Sequence, residues 1–138
     1  MDGGYKLISG VSSFASHFGI ALLILVLFQL LYPLVTPQRE WKLINEGKNT
    51  AAALAFGGAI VGFSIALSGA VSNSSSIADF VIWAAVASVA QVLAFAIVRF
   101  GFMPKLAERI EKNEVSAGVI LLAVHIAVGL LNSACMTY

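Results

Sequence analysis

The sequence predicts an all-α polytopic membrane protein, in which four transmembrane helices are arranged as two parallel two-helix repeats. The first observation is composition: 59% of the 138 residues are hydrophobic and only 11% are charged, whereas soluble domains carry about 25% charged residues. The second is a series of apolar stretches, each long enough to cross ~30 Å of hydrocarbon. The third is that both halves of the chain repeat one order of elements. We therefore expect a single membrane domain over residues 1–138.

The predicted spans are apolar runs bounded by polar or helix-breaking residues. Residues 1–16 form a short polar lead that contains Gly and Ser, and no cleavage pattern follows the first apolar run, so we interpret this run as a retained span. Tyr32 and Pro33 mark the exit of the first span, and Arg99 closes the third. The spans cover about residues 17–35, 50–71, 78–98 and 115–136.

Two charged connections, residues 36–48 and 100–114, determine the predicted orientation. Together with Arg99 at the edge of the second connection, they hold every Lys and Arg except Lys6. Because basic residues favour the cytoplasmic side, the sequence predicts that both connections are cytoplasmic and that both termini lie outside. Each connection is expected to form a short helix on the membrane surface, with Trp41 and Arg99 as interfacial anchors.

The two halves of the chain are predicted to be repeats, covering about residues 14–73 and 77–138. Each half is a span, a charged connection with a proline, and a span rich in small residues. Because each unit has two spans, both repeats enter the membrane from the same side and are related by an axis along the membrane normal. The corresponding positions include Gln29 with Gln91, Pro37 with Pro104, and Glu46 with Glu111.

Small residues recur at four-residue spacing in the second span and form smooth stripes on a helix. In lipid, such stripes allow other helices to approach closely. We expect the second and fourth spans to be a central, closely packed pair and the first and third to lie further out. We also expect this surface to take part in the assembly of a homo-oligomer. The predicted packing positions are Ala55, Gly58, Ala59, Gly62, Ala66, Gly118 and Ser133.

Polar side chains inside the spans form the candidate membrane site: Gln29, Gln91 and His125. Ionisable or polar groups at this depth are candidates for function. One interpretation is a neutral His125 that is hydrogen-bonded to a glutamine or serine of a neighbouring helix and fixes the helix register. The other is a pore-lining or proton-carrying role, because the charge of histidine changes near physiological pH. Both interpretations stay open at this point.

Several classes of function receive no support from the sequence. It contains no Ser-His-Asp set, HExxH or CxxC, and no carboxylate lies at the centre of a span, so we predict no enzyme, cofactor or metal. The Gly57-Gly58-x-x-x-Gly62 run lies inside an apolar span and favours helix packing over phosphate binding. The basic residues form no dense patch for nucleic acid. The single cysteine, Cys135, is expected to be a small buried residue near a helix end.

Two stretches of the chain carry a resemblance to a known family. The beginning of the second span, Asn49-Thr50-Ala51-Ala52-Ala53-Leu54-Ala55-Phe56-Gly57-Gly58, and the ending, Asn132-Ser133-Ala134-Cys135-Met136-Thr137-Tyr138, are similar to the bacterial inner-membrane family called Domain of Unknown Function 350. The likeness covers nearly the whole chain from the first span onward. The second repeat departs from it, because Glu114-Val115-Ser116-Ala117 stands where the first repeat has Asn49-Thr50-Ala51-Ala52.

The resemblance implies a multi-pass protein of the bacterial inner membrane, and it carries over no catalytic residue. By gene neighbourhood, members lie near phage-shock-protein-A-like and glutathionylspermidine-synthase-like proteins, which implies a link to envelope maintenance or stress. We therefore expect a non-enzymatic, homo-oligomeric membrane module whose connections dock a cytoplasmic envelope-stress protein. The alternative is a small oligomeric channel or transporter that uses Gln29, Gln91 and His125.

Overall fold

The computed structural model describes residues 2–136, and within this part of the chain every regular element is a helix. Four helices are long and apolar enough to cross a membrane, which confirms the predicted all-α, four-span class. Thr137 and Tyr138 of the family-like ending lie outside the described residues. The helices are α1 (Asp2–Val35), α2 (Glu40–Asn45), α3 (Thr50–Asn73), α4 (Ile77–Ile97, continued by a π-helical turn, Val98–Phe102), α5 (Leu106–Glu111) and α6 (Val115–Cys135).

Helix α1 is much longer than the predicted first span, because the polar lead is helical from Asp2 onward. The lead has no proline, and its hydroxyl groups can bond to the helix itself, as Ser16 does by donating to the Ser12 carbonyl at 3.0 Å. With 34 residues, α1 is about 50 Å long at 1.5 Å per residue. It therefore exceeds the ~30 Å hydrocarbon layer of a bilayer.

Side-chain caps fix where α3 and α4 begin. The Asn49 side chain accepts a hydrogen bond from the Ala52 N–H at 2.8 Å, and the Ser76 hydroxyl accepts one from the Asp79 N–H at 3.1 Å. The first N–H groups of a helix have no partner inside the helix, so a capping oxygen stabilises that end. The two spans thus start close to the predicted residues 50 and 78.

Helices α3 and α6 form the central, most closely packed pair of the fold, as the small residues predicted. A Cβ atom on Gly58 would lie 2.5 Å from the Leu122 Cα, and one on Gly118 would lie 2.5 Å from the Ala51 carbonyl oxygen. Only glycine permits such an approach of two backbones. The other predicted packing positions are buried or half-buried on these two helices: Ala55, Ala59, Gly62, Ala66 and Ser133.

This packing corrects one expectation about assembly. The small-residue surface of α3 is used inside a single chain, where Gly58 and Gly62 face α6. It is not a free surface that could join two copies, because both glycines are buried. Any contact between copies would have to use another face.

Helix α4 packs against both members of the central pair, whereas α1 lies at the outside of the fold. Every residue from Gly3 to Ser16 is exposed, and α1 meets the other helices only through its later turns. There the Phe28 ring stacks on the Phe63 ring with centroids 4.2 Å apart. Between α1 and α4 an apolar groove of about 430 Å³ remains open. The carboxyl-terminal half of α1 therefore carries its attachment.

The two connections each contain a short helix, as predicted, and hydrogen bonds tie them to the central pair. The Asn49 Nδ2 donates to the Ile110 carbonyl at 2.7 Å, and the Ala51 N–H donates to the Asn113 Oδ1 at 3.0 Å. Each connection also ends in a residue with positive φ, Lys48 at 49° and Asn113 at 60°. The repeat arrangement itself stays a prediction.

The prediction that Cys135 is buried is wrong, since its side chain is exposed. The buried stripe of α6 runs through Leu121, His125 and Gly129 at four-residue spacing. The same face continues three, four and seven residues after Gly129, at positions 132, 133 and 136. Cys135 therefore lies on a different side of the last turn.

Candidate functional site

A buried cluster of three polar side chains joins α1, α4 and α6 at membrane depth. The His125 Nδ1 lies 2.6 Å from the Gln91 Oε1, and the His125 Nε2 lies 2.9 Å from the Tyr32 hydroxyl. His125 and Gln91 are fully buried, and Tyr32 is only 3% exposed. The structure thus brings together two of the three predicted site residues and adds a tyrosine.

The fold brings these side chains together because α3 and α6 approach so closely. Gly62 of α3 packs on the His125 backbone carbonyl, and a Cβ there would also lie 2.9 Å from the Gln91 Oε1. A larger residue would push α6 or the glutamine away. On the other side, Tyr32 packs against Phe28 and Phe56 with ring centroids 5.3 and 6.1 Å apart. Because Gly62 of α3 has no side chain, there is room for the polar cluster.

The geometry defines the proton positions of a neutral imidazole. The Gln91 Oε1 only accepts hydrogen bonds, so the His125 Nδ1 that faces it carries the proton. The Nε2 then accepts a hydrogen bond from the Tyr32 hydroxyl. Both ring nitrogens are satisfied in this arrangement, while the Gln91 Nε2 is buried without a hydrogen-bond partner. This is the hydrogen-bonded arrangement that the packing interpretation of His125 describes, and its role in function stays a prediction.

Gln29 is not part of this cluster, although the sequence grouped it with Gln91 and His125. It is half-buried, and no hydrogen bond links its side chain to the cluster in the described part of the chain. Its backbone carbonyl instead accepts a hydrogen bond from the Trp41 indole at 3.3 Å. Tyr32, three residues further along α1, occupies the facing position. The mismatch arises because equal positions in two repeats need not face the same partner.

The two predicted anchors lie next to the spans, Trp41 in α2 of the first connection and Arg99 at the end of the third span. Trp41 is 41% exposed and packs edge-on against Phe56 with centroids 4.9 Å apart. Arg99 lies in the π-helical turn after α4, half-buried, with its guanidinium 5.2 Å from the Phe100 ring centroid. An amphipathic or cationic side chain at such a position suits a membrane interface. Their role as interfacial anchors stays a prediction.

A second buried polar group, which the sequence reasoning missed, lies directly after α1. Thr36 donates from its hydroxyl to the Glu40 Oε1 at 2.7 Å, and Gln38 lies between them in the chain. Gln38 is fully buried and Glu40 is 1% exposed. Burial raises the pKa of the Glu40 carboxyl from 4.5 to about 7, although the hydrogen bond from Thr36 and the Gln38 side chain oppose this shift.

Among residues 2–136, no three His, Cys, Asp or Glu side chains are grouped as metal ligands would be. The chemistry that the described clusters offer is hydrogen bonding and proton binding. Glutamine, tyrosine and histidine exchange hydrogen bonds in the membrane cluster, and a carboxyl can hold a proton in the connection cluster.

Four apolar helices, a close small-residue pair and buried polar side chains define a multi-pass α-helical membrane protein. The sequence profile of the family described as "Domain of Unknown Function (DUF350)" matches residues 6–136. The chain belongs to this family. This confirms the resemblance that was based on the beginning of the second span and on the last residues of the sequence.

Two relatives have names that refer to membranes. The chain is 39% identical over 132 residues to the "UPF0719 inner membrane protein YjfL" of Escherichia coli (strain K12), which covers 96% of this chain and 98% of the relative. It is 28% identical over 122 residues to the "UPF0719 transmembrane protein YshE" of Bacillus subtilis (strain 168), covering 87% and 90%. No solved structure matches the fold.

Proposed function

We propose that the chain is a non-enzymatic module of the bacterial inner membrane that forms a homo-oligomer through the amino-terminal half of α1. The single observation that carries the proposal is an exposed apolar stripe on this half. Leu7, Val11, Phe14 and Phe18 are 68, 58, 64 and 51% exposed. They recur at positions i, i+4, i+7 and i+11, so they share one face of the helix.

The length of α1 is what makes this stripe informative. A helix of 34 residues cannot be contained in a ~30 Å hydrocarbon layer unless it is strongly tilted. The polar lead, with Lys6 and several serines, is the half that suits the outside of the layer. Apolar side chains in water are stabilised by packing against another surface, and a second copy of α1 supplies a matching stripe.

We further propose that the two connections dock a cytoplasmic partner. Arg39, Lys42, Glu46 and Glu111 line a surface groove between them. Charges of both signs at one groove suit a protein partner more than a lipid tail or nucleic acid. The name of the Escherichia coli relative supports an inner-membrane location, and the gene neighbourhood of the family supports a partner in envelope maintenance or stress.

The oligomer is tested by replacing Val11 and Phe14 together with serine. We expect the mass of the purified protein in detergent, measured by light scattering, to fall to that of one chain. The matched control replaces Tyr5 and Ile8 with serine, because both are at least as exposed but lie off the stripe. The same comparison by cross-linking in native membranes avoids detergent effects. A wild-type protein that is monomeric in both settings contradicts the proposal.

One observation favours a second candidate function, a small channel or transporter. The Tyr32–His125–Gln91 cluster places an ionisable group and an unpartnered amide nitrogen inside the membrane. Under this alternative, liposomes containing the protein conduct protons or cations, and His125→Ala abolishes the flux while His17→Ala preserves it. Under the first proposal, neither the wild type nor the variants conduct.

A further inference from the structure

The connection after α1 contains a buried carboxyl group whose hydrogen bonding is incomplete. The Glu40 Oε1 accepts from Thr36, but the Glu40 Oε2 has no hydrogen-bond partner. Both polar atoms of the Gln38 side-chain amide are also buried and have no hydrogen-bond partner. Buried polar atoms are rarely left unpaired in folded proteins, so three such atoms on neighbouring side chains require an explanation.

Gln38 lies two residues before Glu40 in the chain, and its side chain lowers the pKa of the Glu40 carboxyl, against the larger raising effect of burial. An ionised carboxylate could use the amide nitrogen as a donor, which leaves the amide oxygen unpaired. A protonated carboxyl could instead donate to the amide oxygen. The second arrangement leaves the amide nitrogen unpaired instead, but it removes a buried negative charge, which is costly when no cation neutralises it.

We propose that Glu40 is a proton-binding site, in which a proton taken from water allows Oε2–H to donate to the Gln38 Oε1 and fixes the connection against the end of α1. The proton is the only species that is bound, and no other covalent bond changes. The proposal does not depend on the oligomer or on the partner of the preceding section.

The charged surroundings are consistent with a site that responds to protons. Tyr32 is the titratable group of α1 on which the Glu40 charge acts. The nearest basic residues along the chain, Arg39 and Lys42, line the outer groove with Glu46 and Glu111. No Lys or Arg forms an ion pair with Glu40 in the described part of the chain. A proton is therefore the simplest way to neutralise this carboxyl.

The sign of the pH effect follows from the raised pKa. The folded protein holds the proton up to a pH of about 7, whereas an unfolded chain releases it near 4.5. Between these values the folded state binds more protons than the unfolded state, so its stability falls as the pH rises. The contribution of Glu40 is complete at acidic pH and is lost as the pH passes through about 7.

The test is infrared difference spectroscopy of the full chain in lipid nanodiscs, titrated from about pH 3 to about pH 9. We expect a carboxylic-acid C=O band that disappears with a midpoint of about 7. The band should be absent in Glu40→Gln and unchanged in Glu46→Gln, which alters an exposed glutamate of the same connection. Gln38→Leu, which removes the acceptor of the proposed hydrogen bond, should shift the frequency of the band.

A second readout follows hydrogen–deuterium exchange of backbone amides in residues 36–45, corrected for the intrinsic pH dependence of exchange. Protection should fall with rising pH in the wild type and should not depend on pH in Glu40→Gln. If Glu40→Gln fails to fold, Glu40→Asp should still shift the wild-type band and identify its source. A wild-type band that titrates near 4.5 overturns the proposal, as does protection that responds to sodium or potassium but not to pH.

Discussion

At the scale of single residues, the hydrogen bond between Tyr32 and His125 is the polar contact that ties α1 to the rest of the bundle. Its heavy atoms are 2.9 Å apart and both side chains are buried. Other contacts of α1 are apolar, such as the stack of Phe28 on Phe63 and the packing of Ile24 and Leu25 against the core. Apolar contacts add little net driving force for helix association in a membrane, because lipid tails are equally apolar. The tyrosine hydroxyl therefore contributes most to the rotational register of α1.

Tyr32→Phe removes this hydrogen bond and retains the ring. We expect the free energy of unfolding to fall by about 0.6 to 1.7 kcal/mol, the range for interhelical hydrogen bonds in a membrane. The measurement is thermal or denaturant unfolding in detergent. Tyr5→Phe is the matched control, because Tyr5 is 78% exposed, and it should change stability by less than about 0.5 kcal/mol. Equal effects of the two variants would contradict the importance of the contact.

Asn49 has a comparable role where the connections meet the bundle. Its Oδ1 caps α3 and its Nδ2 donates to the Ile110 carbonyl. Asn49→Ala should cost about 0.5 to 2 kcal/mol for the lost cap, with a further cost because a buried carbonyl loses its partner. Asn45→Ala, at an exposed position of α2, is the control. Differential scanning calorimetry of both variants in the same detergent measures their unfolding temperatures, which can then be compared.

The sequence predicted the residues of the membrane cluster where a polar side chain lies inside an apolar span. Gln91 and His125 stood out as polar residues inside apolar spans, and the structure places them in contact. From the sequence, Tyr32 marks only the exit of the first span, because tyrosine is common at span ends. Gln38 and Glu40 resembled ordinary residues of a charged connection. Their burial depends on how the connection folds back on the bundle, which no local pattern records.

At the scale of elements, the closeness of α3 and α6 depends on particular glycines rather than on small residues in general. Gly57 and Gly58 are neighbours in sequence, yet a Cβ on Gly57 would meet nothing within 4 Å. One on Gly62 or Gly129 would collide with the backbone of the opposite helix. The glycines that face α6 therefore fix the register between α3 and α6. The positions that face away from α6 are ordinary helix surface.

Gly62→Ala and Gly57→Ala test this register directly. The Gly62 substitution inserts a methyl group against the His125 carbonyl, so we expect a loss of about 1 to 3 kcal/mol in unfolding free energy. It should also weaken the Gln91–His125 contact, because the same methyl group approaches the Gln91 Oε1. Gly57→Ala should be neutral or stabilising by up to about 1 kcal/mol, since alanine favours a helix. Unfolding in detergent measures both.

The sequence predicted the order and type of the elements well, because apolar length and proline position are local signals. It also predicted the two short helices of the connections, of which α5 buries Leu106 and Ile110 fully. It did not predict that α1 would begin at Asp2, because a serine- and glycine-containing lead has no strong helix signal. The helix continues through the lead because no proline interrupts it. The absence of a helix-breaking residue is a weaker signal in a sequence than the presence of a capping residue.

At the scale of the whole molecule, the orientation in the membrane is the main quantity that the packing leaves undetermined. The bundle would pack equally well with either end in the cytoplasm, since its contacts are internal. The distribution of Lys and Arg over the two connections is the independent evidence, and it predicts that both termini lie outside. This prediction can be tested with a probe that the chain already carries.

Cys135 is the single cysteine of the chain and is exposed at the end of α6. A membrane-impermeant maleimide applied to intact spheroplasts should therefore label the wild-type protein. The matched variant moves the thiol to the first connection, as Glu46→Cys in a Cys135→Ser background, at another exposed position. It should react only after the membrane is permeabilised. Because neither change removes a basic residue, the determinants of orientation stay intact, and the reverse labelling pattern would show that the connections lie outside.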